Sequence, residues 1–261
     1  MKSVEIMQRD ENVLSGKNQS RGCYDSFARC SQEACYQFLA ATFWDSIMGG
    51  FRPGRLRAVE LLELQPTDYI LLVGEGSGLD FDCLPEDIDK TKVIAFDFSS
   101  EMVRQAKKKA LTYGIPPENV LQGDAQDLSF LGEKQFNKIY FPLSIGSIPH
   151  PRLALLEAER VLAPGGKIIV FEKLVDNGAV ISRRRQALNW FTRCIFADIN
   201  RNLTTILGED SPLQISHYET TENRLEGCLG RTLAPYYRIA VLTRKEALIN
   251  EHTNSYLQNN I

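Results

Sequence analysis

The sequence predicts an α/β fold built on a doubly wound, mostly parallel sheet. Three observations carry this. Strand-like and helix-like segments alternate from Tyr69 to Phe171, the pattern of a parallel sheet with helices on both faces. The run Ile70-Leu-Leu-Val73 is short, unbroken and apolar, as a strand covered on both sides must be. It passes into glycines on alternate positions, Gly74, Gly76 and Gly78, and a second apolar run, Val93-Ile-Ala-Phe96, ends in Asp97.

Each element follows in order. Ser99 or Ser100 is suited to cap a helix through Met102, Val103, Ala106 and Ala110, which stops at Gly114 ahead of Pro116-Pro117. Lys107, Lys108 and Lys109 on that helix read as a solvated face. Asn119 to Asp124 is a third strand ending in Gly-Asp, and Phe136 to Pro142 a fourth. A helix from Arg152 to Leu162, the turn Ala163-Pro-Gly-Gly166 and a fifth strand from Lys167 to Phe171 come next. Ser182 then caps a long helix whose apolar positions, Leu188, Phe191, Ile195, Ile199, Leu203 and Ile206, step by three or four into one stripe. Leu213 to Thr220 and Tyr236 to Thr243 read as two further strands.

The glycines and Asp97 describe a nucleoside site. Glycine lets the chain turn sharply and lets a ligand approach bare main chain. A carboxylate at the carboxyl end of a strand can accept both hydroxyls of a ribose. The spacing disfavours a dinucleotide, whose G-x-G-x-x-G pattern would need its third glycine at Leu79. Asp80 and Asp82, where the following helix would begin, would also repel a pyrophosphate. A positively charged ligand suits the site better.

The ordered set of glycine loop, Asp97, Gly123-Asp124 and Pro164-Gly165-Gly166 resembles the class I S-adenosylmethionine (SAM)-dependent methyltransferases, over about Tyr24 to Lys245. The resemblance implies a Rossmann-like, seven-stranded sheet closed by an antiparallel last strand, with an N-terminal helical cap. It implies SAM as cofactor, with Gly74, Glu75, Gly76 and Gly78 at its methionine portion and Asp97 on its ribose. Phe98 would then line the adenine, and Asp124 and Ala125 would hydrogen-bond it. Its position two residues before the first glycine is acidic in the family and is Leu72 here; Glu75 or Asp80 would have to supply that charge. The segment Phe171-Glu-Lys173, Arg183-Arg-Arg185, Trp190-Phe-Thr-Arg193 and Asp198-Ile-Asn-Arg201 is similar to phospholipid methyltransferases, and quinone C-methyltransferases share the core. That helix is read either as an amphipathic cover or as a basic, aromatic-bearing surface resting on a bilayer.

Methyl transfer needs alignment more than acid–base chemistry, and positioning can be worth about 7–11 kcal/mol. For an acceptor that must lose a proton, His150 is the candidate base, the alternative being an ordinary loop residue beside Pro149 and Pro151. The D/N-P-P-Y pattern of nucleic-acid amino-methylating enzymes is absent, the stretch being Tyr140-Phe-Pro-Leu143.

The 261 residues, 43% of them apolar, suit a single domain over 21–245 (cap 21–60, core 69–245), between a leader at 1–20 and a polar tail at 246–261. A net charge of −3 points away from nucleic acid. No apolar stretch is long enough to span a membrane. Six cysteines without C-x-x-C spacing suggest reduced thiols, no metal and a cytoplasmic setting, with peripheral membrane contact open. The aromatic series Tyr24, Phe27, Tyr36, Phe38, Phe43, Trp44 and Phe51 either covers a cofactor or packs a helix on the domain. The expected function is methyl transfer to a small-molecule or lipid-like acceptor; a nicotinamide-dependent oxidoreductase and a non-catalytic scaffold are the alternatives.

Overall fold

The computed structural model describes residues 45, 48–195, 197–221 and 237–245. The expected leader, the cap residues before Asp45 with their aromatics, Cys23, Cys30, Cys35 and Cys228, and the tail lie outside the described residues. In chain order the elements are α1 (Arg52–Leu62), β1 (Ile70–Val73), β2 (Val93–Asp97), α2 (Ser100–Thr112), β3 (Val120–Gln122), β4 (Phe136–Pro142) and α3 (Pro151–Val161). β5 (Leu162–Lys173), α4 (Arg183–Ile195), α5 (Leu203–Leu207), β6 (Leu213–Thr220) and β7 (Tyr237–Arg244) complete them.

The seven strands form one sheet in the order β3-β2-β1-β4-β5-β7-β6. The first five run parallel, and β7 lies antiparallel between β5 and β6. Alternate strand residues feed two cores. Leu71, Val73, Ile139, Phe141, Ile168 and Val170 pack with Ala154, Leu155 and Ala158 of α3. Ile70, Leu72, Ala95, Tyr140, Ile169 and Phe171 pack on the other face with Ala58, Val59 and Leu62 of α1 and Val103, Ala106 and Ala110 of α2. All four residues of β1 are buried, which is why its apolar run is continuous rather than alternating.

The strand order reverses between β1 and β4, so the chain leaves β1 toward β2 and returns on the other side. That topology opens a crevice at the carboxyl ends of the strands. Capping holds the elements around it: Ser99 Oγ accepts the Met102 amide at 3.4 Å, and Gly114, at φ +74°, ends α2 while Ile115 N donates to Ala110 O at 2.9 Å.

Two elements differ from expectation. The stripe through Ile206 is not one helix: α4 ends at Ile195, and α5 is separate. Asp198, Asn200 and Asn202 lie between them, and short polar side chains compete for backbone donors. Asp198 Oδ1 accepts the Asn200 amide at 3.0 Å, Asn189 Oδ1 accepts Ile199 N at 2.7 Å, and Asn202 Oδ1 caps α5 on Thr205 N at 2.8 Å. The Ala163–Gly166 stretch, expected as a turn, lies within β5 as a bulge: Phe136 pairs with Leu162, then Lys138 with Lys167.

Gly78 is a steric requirement of the fold. Its φ is +86°, and a Cβ there would stand 2.7 Å from the Phe81 ring and 3.2 Å from the Ala106 Cα of α2. Gly78→Ala is expected to destabilise the protein by about 2–4 kcal/mol from backbone strain plus overpacking. Thermal denaturation reads this as a midpoint lowered by roughly 5–15 °C; an unchanged midpoint would contradict the packing described.

Candidate functional site

The crevice is lined by the residues that follow four adjacent strands: Gly74 to Gly76 after β1, Asp97 to Ser99 at the end of β2, Gly123 to Gln126 after β3, and Pro142 to Ser144 at the end of β4. Ser147, Ile148 and Pro149 extend the last wall, and Met48, Arg55, Leu79 and Met102 come from outside these loops.

The glycine turn is tied to the neighbouring strand. Gly74 N and Glu75 N both donate to Phe96 O, at 2.9 and 3.1 Å. Gly74, at φ +70°, leaves no room for a Cβ, which would fall 2.5 Å from Ser144 Cβ. Ser144 Oγ in turn donates to Val73 O at 2.6 Å, so the loops after β1 and β4 brace one another. Asp97 organises the first loop: Oδ2 accepts Gly76 N at 2.9 Å and Oδ1 accepts Ser99 N at 2.8 Å. Burial raises its carboxyl pKa, opposed by hydrogen bonds from the amides of Ser99, Gly76 and Phe98. Asp124 Oδ1 accepts the Gln126 amide at 2.9 Å, and both its oxygens accept from Gln126 Nε2. Gln126 Oε1 then accepts His150 N at 2.9 Å.

Beneath the glycine turn lies a buried polar group set. The Arg55 guanidinium pairs with Asp80 through Nη1 and Oδ2, both side chains being buried. Glu75 Oε1 accepts the Asp80 amide at 3.0 Å. Burial pushes the Glu75 carboxyl up to about 8, because removing a carboxylate from water disfavours its charged form. Asp82 faces outward and pairs with Arg52 at 3.0 Å. The two acids expected to repel a phosphate therefore do not line the crevice. Asp80 is matched by Arg55, and the carboxylates in the crevice are those of Glu75, Asp97 and Asp124.

Of the residues singled out from sequence, Gly74, Glu75, Gly76, Asp97, Phe98, Asp124 and Ala125 converge on one crevice. Gly78 does not line it; its role is packing. His150 does not line it either: it is exposed at the start of α3, with its backbone turned to Gln126. Lys107 and Lys108 are exposed, whereas Lys109 binds Asp45 at 2.6 Å and the Ser77 hydroxyl at 3.3 Å. Arg185 is also turned inward, donating to Asn200 Oδ1 and Ile199 O. Arg55, Gln126, Leu143 and Ser144 carried no signal strong enough to single them out. Leu143 holds φ +55° where β4 leaves the sheet, a left-handed position that no leucine advertises.

Residues 71–170 match the family described as a methyltransferase domain. The phosphatidylethanolamine N-methyltransferase of Cereibacter sphaeroides is 29% identical over 123 residues, covering 47% of this chain and 59% of that one. The demethylmenaquinone methyltransferase of Staphylococcus carnosus is 35% identical over 108 residues, 41% of this chain and 44% of that one. The chain spans about half the length of these relatives. Among solved structures, a chain from the Haloferax volcanii complex of the Trm112 methyltransferase activator superposes with a TM-score of 0.64 at 17% identity, over 80% of this chain and 97% of that one. Geranyl diphosphate C-methyltransferase of Streptomyces coelicolor, solved with S-adenosyl-L-homocysteine, gives 0.57 at 13% identity, over 72% and 78%. These named relatives are methyltransferases rather than nicotinamide-dependent oxidoreductases. Over residues 71–170, from β1 into β5, the chain is thus similar to methyltransferase domains.

Proposed function

We propose that the protein transfers a methyl group from SAM to a small-molecule or lipid-like acceptor. One observation carries the reading: a glycine turn, Asp97 and Asp124, from the ends of three adjacent strands, face one crevice. The residues present fit the cofactor. Asp97 has two carboxylate oxygens for a ribose diol, Phe98 is a half-exposed ring at the crevice, and Asp124 with the Ala125 amide offers an acceptor and a donor for adenine.

Bound SAM supplies a methyl group on a positively charged sulfur, ready for displacement by an acceptor lone pair. The chain's contribution is to hold the partners in line and exclude water. Ser144 and the bonded loops after β1 and β4 keep that wall rigid. His150 does not line the crevice, so we assign the proton-accepting role to no residue of this wall.

Leu143, Ile148, Pro149 and Met48 give the rest of the crevice an apolar lining, which supports a lipid-like or small apolar acceptor. The names of the phospholipid and quinone relatives agree with that class. Peripheral membrane contact is part of the proposal: α4 shows Trp190, 74% exposed, after the 98% exposed Val180. Arg183, Arg184 and Arg193 are exposed beside them, and each cation near an anionic bilayer contributes about 1 kcal/mol. No described helix is long and apolar enough to cross a membrane. A cytoplasmic location is the setting we favour, on the cysteine spacing; nucleic acid is disfavoured as a substrate by the net charge of −3.

Two measurements test the reading. Calorimetry is expected to show saturable binding of S-adenosylhomocysteine and none of NADH. Incubation with methyl-labelled SAM and separated polar lipids, quinone precursors and small metabolites is expected to label one class; label in none would refute the enzyme. Sedimentation with anionic vesicles tests membrane contact, and protein left wholly in the supernatant removes that part.

A further inference from the structure

The crevice wall that follows β4 is held from behind by a buried polar cluster. Gly146 N donates to Glu172 Oε2 at 2.9 Å, Asp198 N donates to Gly146 O at 2.9 Å, and Arg201 Nη2 donates to Ile148 O at 2.9 Å. Glu172, near the end of β5, is 3% exposed, and its other oxygen accepts Lys173 N at 2.8 Å. Arg201 is half-buried, 3.9 Å from Asp198 Oδ2, and its carbonyl accepts Val175 N at 2.8 Å. The α4–α5 linker is thereby fastened both to the exit of β5 and to the wall. Gly146 fits closely in this clamp: a Cβ there would stand 3.1 Å from Glu172 Oε2 and 3.3 Å from Asp198 O.

Ser147, Ile148 and Pro149, the residues that the clamp holds, line the crevice. These bonds reach neither the glycine turn nor Asp97 nor Asp124. Burying a carboxylate is costly unless donors meet it, and the donors that meet Glu172 are backbone amides of the wall and of its own strand. A carboxylate and a guanidinium aimed at the main chain of one short stretch fix where that stretch stands.

We propose that Glu172 and Arg201 are positioning residues for the methyl acceptor. Neither is among the described residues that line the crevice. They act through Gly146 and Ile148, and so set how far Ile148 and Pro149 reach toward the acceptor. The inference rests on the methyltransferase reading, in which the glycine turn, Asp97 and Asp124 hold the cofactor and this wall is left to the acceptor. In-line displacement is sensitive to such placement: an error of about 1 Å can cost about a hundredfold in rate.

The test uses the full chain, methyl-labelled SAM and whichever of the polar-lipid, quinone-precursor or small-metabolite fractions gains label. Arg201→Met removes the donor to Ile148 O while keeping most of the apolar stem. It is expected to lower kcat/KM for that fraction by about ten- to a hundredfold. KM for SAM and calorimetric affinity for S-adenosylhomocysteine are expected to stay within about threefold of wild type, less than one ordinary hydrogen bond. Arg201→Lys restores a donor and is expected to recover most of the loss. Glu172→Gln keeps one acceptor oxygen but sets an amide donor against the second backbone N–H, and is expected to show the same split. Gly146→Ala keeps every polar partner and shifts the wall by crowding alone; a loss of about tenfold in kcat/KM for the fraction is expected.

Equal losses in acceptor transfer and in S-adenosylhomocysteine affinity would make these residues supports of the whole crevice and overturn the inference. So would wild-type transfer in Arg201→Met and Glu172→Gln, or no recovery in Arg201→Lys. Should the variants not fold, hydrogen exchange of the wild type decides: the amides of Gly146 and Asp198 are expected to exchange slowly, and rapid exchange would mean that the clamp does not hold the wall. Wild-type protein that labels none of the fractions would instead remove the methyltransferase reading, and this inference with it.

Discussion

Asp97→Ala is expected to abolish most of the protein's affinity for S-adenosylhomocysteine. The carboxylate offers two charged acceptors to a ribose diol, and hydrogen bonds to charged groups are worth about 1.5–3 kcal/mol each, so the loss is about 3–6 kcal/mol or roughly 10²–10⁴-fold. A second contribution comes from the loop. Asp97 also accepts from Gly76 N and Ser99 N, so its removal frees the glycine turn. Asp97→Ala is expected to weaken 5′-methylthioadenosine as much as S-adenosylhomocysteine, because both carry the ribose. Asp97→Asn keeps one acceptor oxygen and is expected to fall between alanine and wild type. Affinity for both ligands within about threefold of wild type in Asp97→Ala, less than a single ordinary hydrogen bond, would remove the ribose assignment.

Asp80→Ala is expected to produce the largest loss of stability among the substitutions considered. The Arg55–Asp80 pair is buried on both sides, and deleting one member strands a guanidinium in a region with little water. Breaking such a pair costs about 3–5 kcal/mol, whereas replacing both members by apolar groups of similar size is often neutral. Urea denaturation should therefore show a large drop for Asp80→Ala and a much smaller one for the double variant Arg55→Met, Asp80→Leu. The contrast carries the argument, since a general packing defect would make the double variant worse. A midpoint for Asp80→Ala close to wild type would mean that Arg55 finds water or another partner. The double variant, even if stable, is expected to bind S-adenosylhomocysteine less tightly than wild type, because Arg55 lines the crevice.

The parallel part of the sheet was legible because its signals are local. Ile70–Val73 is an apolar run, Val93–Asp97 is one up to its final aspartate, Phe136–Pro142 is one after Asn137 and Lys138, and all three occur as strands at those positions. Ser99 and Gly114 announce the limits of α2 by their own chemistry. The helix after β5 was misread because periodicity alone cannot report a break. The stripe stays in phase through Ile206, while Asn189, Asp198 and Asn202 take the backbone donors of Ile199, Asn200 and Thr205. The bulge at Ala163–Gly166 was read as a turn for a related reason: Pro164-Gly165-Gly166 fits either, and only pairing with β4 decides.

The residue types at the crevice were visible in the sequence, but their charge states were not. Asp80 and Asp82 look equivalent in the sequence; one is sealed against Arg55, and the other pairs with Arg52 at the surface. His150 looked like a base because histidine titrates near neutrality, yet it stands outside the crevice. Lys109 looked like one of three solvated cations, yet it ties Asp45 to the glycine turn.

The amino-acid order by itself determined the alternation of strand and helix, the sharp glycine turn and the placing of acids at strand ends, because each depends on a residue and its near neighbours. Tertiary structure alone decided which of those acids share a crevice, which one Arg55 neutralises, and how far burial lifts Glu75. Desolvation and ion pairing depend on groups far apart in the chain, and only the packed fold brings those groups within reach of one another.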